Sequence, residues 1–361
     1  MDLPDKIPRF PNRVPACAVI ILGLLILLLQ AGRTETPETR EGRPVFRIVF
    51  YNVENLFDTV NDPMKNDDAF TPEGARRWNK FRLQEKINNL YRAIAAAGGW
   101  HTPAIIGLCE VENIYVLERL AYDTGFNRFD YRIIHRNSGD PRGIDVAFLF
   151  RPDMFDLLKS RFIPVRFPFD TLAATRDIVY IKGLTGPADT LHLFANHWPS
   201  RWGGQAETAP YRNHAASVLR SVIDSLFLVS PAAKIVVMGD FNDEPHDESL
   251  KRFLGAGFDY DAPEPGRLYN ISWEIKKQGQ GSSKYQGIWY LFDQFIVSGG
   301  LMGLVPGMNT TPEAFRVFDE EFLLVPDDAW FGYKPFRSYE GFRYTGGYSD
   351  HLPIILDLFA N

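Results

Sequence analysis

Residues 235–242 read Ile-Val-Val-Met-Gly-Asp-Phe-Asn, an apolar run that ends on a carboxylate and, two positions later, an amide. A short β-branched run bounded by a glycine is the pattern of a buried strand. Residues two apart in a strand share a face, so Asp240 and Asn242 are expected to look onto one site with Phe241 turned into the core. The same arrangement recurs along the chain. Val45–Asn52 (VFRIVFYN) ends on Asn52, Thr102–Cys109 precedes Glu110, and Thr190–Ala195 runs into Asn196-His197. Asp293 interrupts the apolar stretch Tyr290–Val297, and Ser349-Asp350-His351 opens the strand Leu352–Phe359. Carboxylates, amides and histidines brought together by several strand ends suit a hard divalent cation and a phosphate ester.

Between these strands the sequence predicts helices. Thr71-Pro72-Glu73 offers a cap followed by a first-turn proline, and Trp78, Phe81, Ile87, Leu90, Tyr91 and Ile94 continue to a stop at Gly98-Gly99. A short helix is expected over Ile114–Tyr122 and a long one over Thr208–Val229. Further strands are expected at Tyr131–His135, Ile144–Phe150, Thr175–Lys182 and Ala233–Met238. Alternating strands and helices with hairpins among them describe a mixed α/β sandwich in which helices cover stacked sheets. No glycine-rich phosphate loop follows the first strand, which argues against a doubly wound nucleotide fold. Asp261–Ile288 and Gly299–Tyr348 exceed ordinary loop lengths, and the second is too aromatic for simple disorder.

The first 31 residues form a separate unit. Lys6, Arg9 and Arg13 precede the apolar run Val14–Leu29, and small residues follow at Ala31-Gly32. This describes a signal peptide and hence export to a periplasmic or extracellular site; an uncleaved membrane anchor is the alternative. Residues 32–44 read as a linker and 45–361 as one catalytic-sized domain. With 45% apolar and 23% charged residues, a sizeable core is expected. Removing residues 1–31 takes the net charge from −6 to about −7 and leaves Cys109 as the one cysteine, so no internal disulfide is possible. An acidic chain is poorly suited to strong non-specific nucleic-acid binding, though a local basic rim could still serve a nuclease.

Glu110 is a strand-end carboxylate suited to Mg²⁺, with Glu112 as a competitor for that role. Asn52 could reach metal or phosphate, and Glu54, two residues on, shares its face by strand spacing. Asp350 could bind metal and His351 could donate to phosphate oxygens. Asp293 needs a partner inside its apolar run, and pairing it with His351 would raise the imidazole pKa and fix its tautomer. His197 could protonate or orient the ester oxygen, with Arg201, Arg142 and Asn196 as candidate substrate contacts. A solvated turn residue is the alternative reading of Arg142.

In this order, Asn52, Glu110, His197, Asp240-x-Asn242, Asp293 and Ser349-Asp350-His351 resemble the endonuclease/exonuclease/phosphatase superfamily, the DNase I-like fold. The resemblance spans roughly Phe46–Leu358. It implies a four-layer α/β sandwich with the site at one edge of two central sheets, Mg²⁺ or Mn²⁺ dependence, and cleavage of phosphoester bonds. By resemblance Glu110, Asp350 and Asn52 would hold metal, Asp240 would activate water, and Asn242 would hold water or phosphate. His351 with Asp293, and His197, would stabilise the phosphoryl oxygens. An exported nuclease or phosphodiesterase is the expected function. A lipid-headgroup or small-phosphoester hydrolase and a catalytically silent binding module are the alternatives. No protein partner is expected, and membrane contact only through residues 1–31.

Overall fold

The computed structural model describes residues 46–186 and 189–360. The expected leader and linker therefore lie outside the described residues. Among those described, no helix is long and apolar enough to cross a membrane.

The chain first lays down β1 (Phe46–Leu56), α1 (Lys80–Gly98), β2 (Ile105–Val111), α2 (Ile114–Tyr122), β3 (Arg132–Ile134) and β4 (Asp145–Phe150). Then come β5 (Asp156–Ile163), β6 (Ile178–Thr185), β7 (Asp189–His197), α3 (Gln205–Val229) and β8 (Lys234–Asp240). Short strands β9 (Ala256–Gly257), β10 (Leu268–Asn270), β11 (Ser283–Tyr285) and β12 (Ile288–Tyr290) lead to β13 (Asp293–Ser298). The last part holds β14 (Met308–Asn309), β15 (Phe315–Val317), β16 (Leu324–Pro326), β17 (Tyr333–Pro335), β18 (Tyr339–Glu340), β19 (Arg343–Tyr344) and β20 (Ile354–Ala360).

One sheet runs β14-β20-β1-β2-β4-β3 with β15 also on β20, and the other runs β5-β6-β7-β8-β13-β10-β9. Along β8 the side chains alternate. Val236 and Met238 enter the core shared by the two sheets, whereas Ile235 and Val237 pack with Leu219 and Ile223 of α3. Leu83, Ile87, Leu90 and Ile94 of α1 and Leu117 and Leu120 of α2 cover the first sheet. The result is four layers, as expected. The sheets approach closely at Gly107, where a Cβ would sit 2.8 Å from Met238 Sδ.

This topology gathers the site. β1 and β2 are parallel, as are β7 and β8, so their C-terminal ends point the same way within each sheet. β20 runs antiparallel to β1 and β13 antiparallel to β8, which puts the starts of those two strands at the same edge.

Three expectations need correction. The first helix starts at Lys80 rather than Pro72, capped by Asn79, whose side chain accepts from the N–H groups of Phe81 and Arg82. Residues 73–77 carry no apolar period, and the Thr71 hydroxyl accepts from Gly74 N in a tight turn instead. β5 was not anticipated because it is an exposed edge strand whose polar residues interrupt any apolar run. Tyr290–Val297 is broken after Tyr290, and only Asp293 onward belongs to the large sheet. The two long segments hold small hairpins, β11–β12, β16–β17 and β18–β19.

Candidate active site

Asp240 ends β8 and sits at the centre of the cleft, 2% exposed. Its Oδ2 accepts from Asn52 Nδ2 at 3.0 Å and lies 3.6 Å from His197 Nε2 and 3.9 Å from His351 Nε2. Register places it there: Asp240 pairs with His197 on one side and with Asp293 on the other. Gly239 is required just before it, because a Cβ would meet Asn196 O at 2.6 Å. Burial, with Asp293 adding to it against the pull of His351, pushes the Asp240 carboxyl up to about 6.

Bulges aim the neighbouring groups. The register of β1 slips between Asn52 and Leu56 and that of β2 between Cys109 and Val111. Glu54, Asn55, Glu110 and Asn242 adopt φ of +48°, +55°, +63° and +50°, a left-handed backbone that is unfavourable for non-glycine residues. The turn carries Glu110 Oε2 onto Asn55 N at 2.9 Å and leaves Oε1 3.4 Å from Asn52 Nδ2 and 3.8 Å from His197 Nε2. Glu112, the competing acid, turns away: it accepts from Asp58 N and from the Asn113 side chain, and burial pushes it up to about 8.

The two histidines are pushed in opposite directions. His351 Nδ1 pairs with Asp293 Oδ2 at 2.6 Å, the partnership expected from the buried aspartate. Although burial works against the cation, Asp293 and Asp240 hold His351 well above the usual histidine range. His197 is pushed well below that range by burial and by the nearby Arg176 and Arg142. Burial and those two cations thus disfavour the protonated form of His197.

Asn242 reaches the site by a different route from the one expected. It leaves the strand in an Asx turn, its N–H donating to Asp240 Oδ1 at 2.9 Å and its Nδ2 donating to Trp198 O at 3.1 Å. Phe241 is buried against Trp198 as expected. Two expected substrate contacts are tied into the protein. Asn196 is fully buried, donating to Met238 O and accepting from Trp198 Nε1. Arg201 donates to Asn242 O, Asp243 and Asp247, bracing the loop after Asp240. Arg142 stays half-exposed, with Nε 3.9 Å from Asp140.

Four residues escaped sequence reading. Asp243 anchors the loop through fully buried Arg212 at 2.8 Å and through Ser249. Lys86, fully buried, donates to Ser338 Oγ and Tyr348 O and lies 3.8 Å from Glu54. A lysine on the buried stripe of α1, beside Leu83, Ile87 and Leu90, is a signal that could have found it. Arg337 has no such signal, since it lies in a stretch without periodicity. Its Nε donates to Glu54 at 3.1 Å and its Nη2 to Asp350 at 3.1 Å, and it keeps the Asp350 carboxyl below the usual range against the effect of burial.

Asp240, Asp293 and His351 each offer a donor atom within 4.8 Å of the others, a buried group that could bind a metal ion. Across the whole cleft, the carboxylates of Glu54, Glu110, Asp240, Asp293 and Asp350 face Lys86, Arg337 and His351. Five acidic side chains outnumber three basic ones here, and Asp293 Oδ1 is buried without a partner among the described residues. That donor chemistry fits a divalent ion.

A four-layer sandwich carrying carboxylates, amides and two histidines on one edge defines a phosphoesterase-type hydrolase. A sequence model of the Endonuclease/Exonuclease/phosphatase family matches residues 47–359, and the chain belongs to that family. No curated protein matches the sequence. Among solved structures, it resembles D. rerio TDP2 complexed with single-strand DNA product, with 14% identity, 87% of this chain and 99% of that chain covered, and a TM-score of 0.52. The human nocturnin catalytic domain with bound sulfate gives 17%, 88%, 94% and 0.51. A Bacteroides thetaiotaomicron mannosyl-6-phosphatase gives 17%, 87%, 99% and 0.51. At these identities the likeness is one of fold.

Proposed function

We propose that the protein is an exported phosphodiesterase of the nuclease type, dependent on Mg²⁺ or Mn²⁺. The observation that carries the reading is Asp240 Oδ2, set between Asn52, His197 and His351. Asp240 orients a water and takes its proton as the oxygen attacks phosphorus opposite the leaving ester oxygen. A base with a pKa near 6 is matched to work around neutral pH. His351, charged and fixed by Asp293, donates to the phosphoryl oxygens, where negative charge develops in the transition state. Neutral His197 contributes a further hydrogen bond. Glu110, Asp350 and Asn52 would hold the cation, which when bound supplies Lewis-acid stabilisation of phosphate charge.

The TDP2 complex with a single-strand DNA product supports nucleic acid as the substrate, and the character of residues 1–31 supports export. The test uses residues 33–361 with Mg²⁺, Mn²⁺ or EDTA on plasmid DNA, single-stranded RNA, bis-p-nitrophenyl phosphate, p-nitrophenyl phosphate and phospholipids. EDTA-sensitive cleavage of DNA or RNA that D240A abolishes is the expected result. Cleavage restricted to monoesters or lipids would replace the nuclease reading with a phosphatase or lipid-headgroup one.

A further inference from the structure

Next to His197 the chain opens a cleft of roughly 830 Å³ that the mechanism above does not use. It is lined by Arg142 and by Thr175 and Arg176 of the segment before β6, with Phe167, Trp202 and Tyr211 along its sides. It adjoins the catalytic cleft directly, because Arg176 Nη2 donates to Trp198 O, one residue beyond His197. Its volume lies within the range that holds a small-molecule ligand.

The lining has the polarity of an anion site in an otherwise acidic chain. Arg176 Nη1 donates to Asp140 at 3.0 Å, and Arg142 lies 3.9 Å from the same carboxylate, so one acid faces two guanidinium groups. Arg142 is half-exposed and free to turn toward a ligand. Thr175 Oγ1 and Arg176 Nε are buried and have no partner among the described residues, and both residues are over nine-tenths buried. Unpaired buried donors are costly, and the two residues that carry them both line this cleft. Trp202, 90% exposed, supplies a flat apolar face on the rim. Guanidinium, hydroxyl and aromatic groups together match a phosphate attached to a ring-bearing unit.

Resting on the nuclease-type reading, we infer that this cleft is a subsite for a second, non-reacting phosphate and its base, one nucleotide away from the scissile bond. The substrate class is then a nucleotide chain engaged at two successive phosphates, with the reacting one at Asp240 and the flanking one at Arg142 and Arg176.

Binding tests this inference and hydrolysis tests the reading beneath it. Calorimetry on the D240N variant would compare thymidine 3′,5′-bisphosphate with thymidine 5′-monophosphate. The bisphosphate should bind roughly tenfold more tightly, since a charge-assisted contact is gained. R142A should close that gap, R142K should restore part of it, and W202A should weaken both ligands together. Equal affinities, or a gap that survives R142A, would overturn the subsite while leaving the catalytic reading intact. EDTA-sensitive release of p-nitrophenol from thymidine 5′-(p-nitrophenyl phosphate) reads the catalytic assignment. Its absence alongside the Arg142-dependent gap would sink the enzyme reading and keep the anion site.

Discussion

His197 and His351 both approach Asp240 Oδ2, yet their pKa values are pushed in opposite directions. His351 leans on Asp293, a buried acid 2.6 Å away, so a proton there neutralises a charge that burial would otherwise leave costly. No acid pairs with His197 Nδ1, which is buried and unpaired among the described residues, and the charges of Arg176 and Arg142 oppose a further cation there. The same residue type at one edge of the sandwich thus favours or disfavours its proton according to the charged groups packed against it. In the proposed mechanism the difference also divides the cleft, with the His351 corner facing the phosphoryl oxygens and the His197 corner next to the arginine-lined pocket.

Removing the shared carboxylate is the most severe way to break this comparison. D240N should lower turnover by about 10³–10⁴-fold, measured on any hydrolysed substrate with folding checked by circular dichroism. Because the folded Asp240 pKa is raised, its ionisation costs stability as pH rises from the usual aspartate value through about 6. D240N should therefore unfold at no lower temperature than wild type at pH 7. A destabilised D240N would contradict the raised pKa.

Cutting His351 from its acid should be next in size. D293N should reduce kcat by about 10²-fold, through loss of a charged donor to the transition state. The His351 imidazole resonance should then titrate at a lower pH, while that of His197 stays put. If both histidines moved together, the two corners would not be independent. In wild type, kcat/KM should fall about tenfold per pH unit below about 6 as Asp240 takes up its proton.

A smaller effect should come from Arg337, which places a cation on Asp350 and Glu54. R337Q should lower the Mg²⁺ concentration needed for half-maximal activity several-fold, since a competing positive charge is removed. No change in metal requirement would reduce Arg337 to a brace for residues 336–339.

The smallest expected effect is on stability. The raised pKa of His351 adds stability that is complete below the unfolded histidine value and is lost as pH climbs through the folded one. The lowered pKa of His197 works the other way, costing stability as pH falls below that unfolded value. Thermal melts of H351Q and H197Q from pH 5 to 9 should therefore diverge in opposite directions from wild type. Parallel curves would show that the two sites share one environment.

Much of this was written into local sequence, for a physical reason. A buried strand needs an apolar run, and a catalytic group at its end must follow that run immediately, so Asn52, Glu110, His197 and Asp240 are each found by reading one segment. The partnership of Asp293 was legible because an acid inside an apolar run has to be compensated. The family membership followed from the order of these signals, and the sandwich from their alternation with helices.

What no single segment contains is the distance between segments. Arg337, Lys86 and Arg212 act through partners far away in the chain, and only the closed sandwich brings those carboxylates to them. The same holds for Arg201, which the sequence offered to the substrate and the fold gave to Asp243 and Asp247. Local sequence determined which groups the site has, because burial and strand period act within a few residues. Tertiary structure decided their charges and their availability, because desolvation and Coulomb interactions depend on neighbours in space.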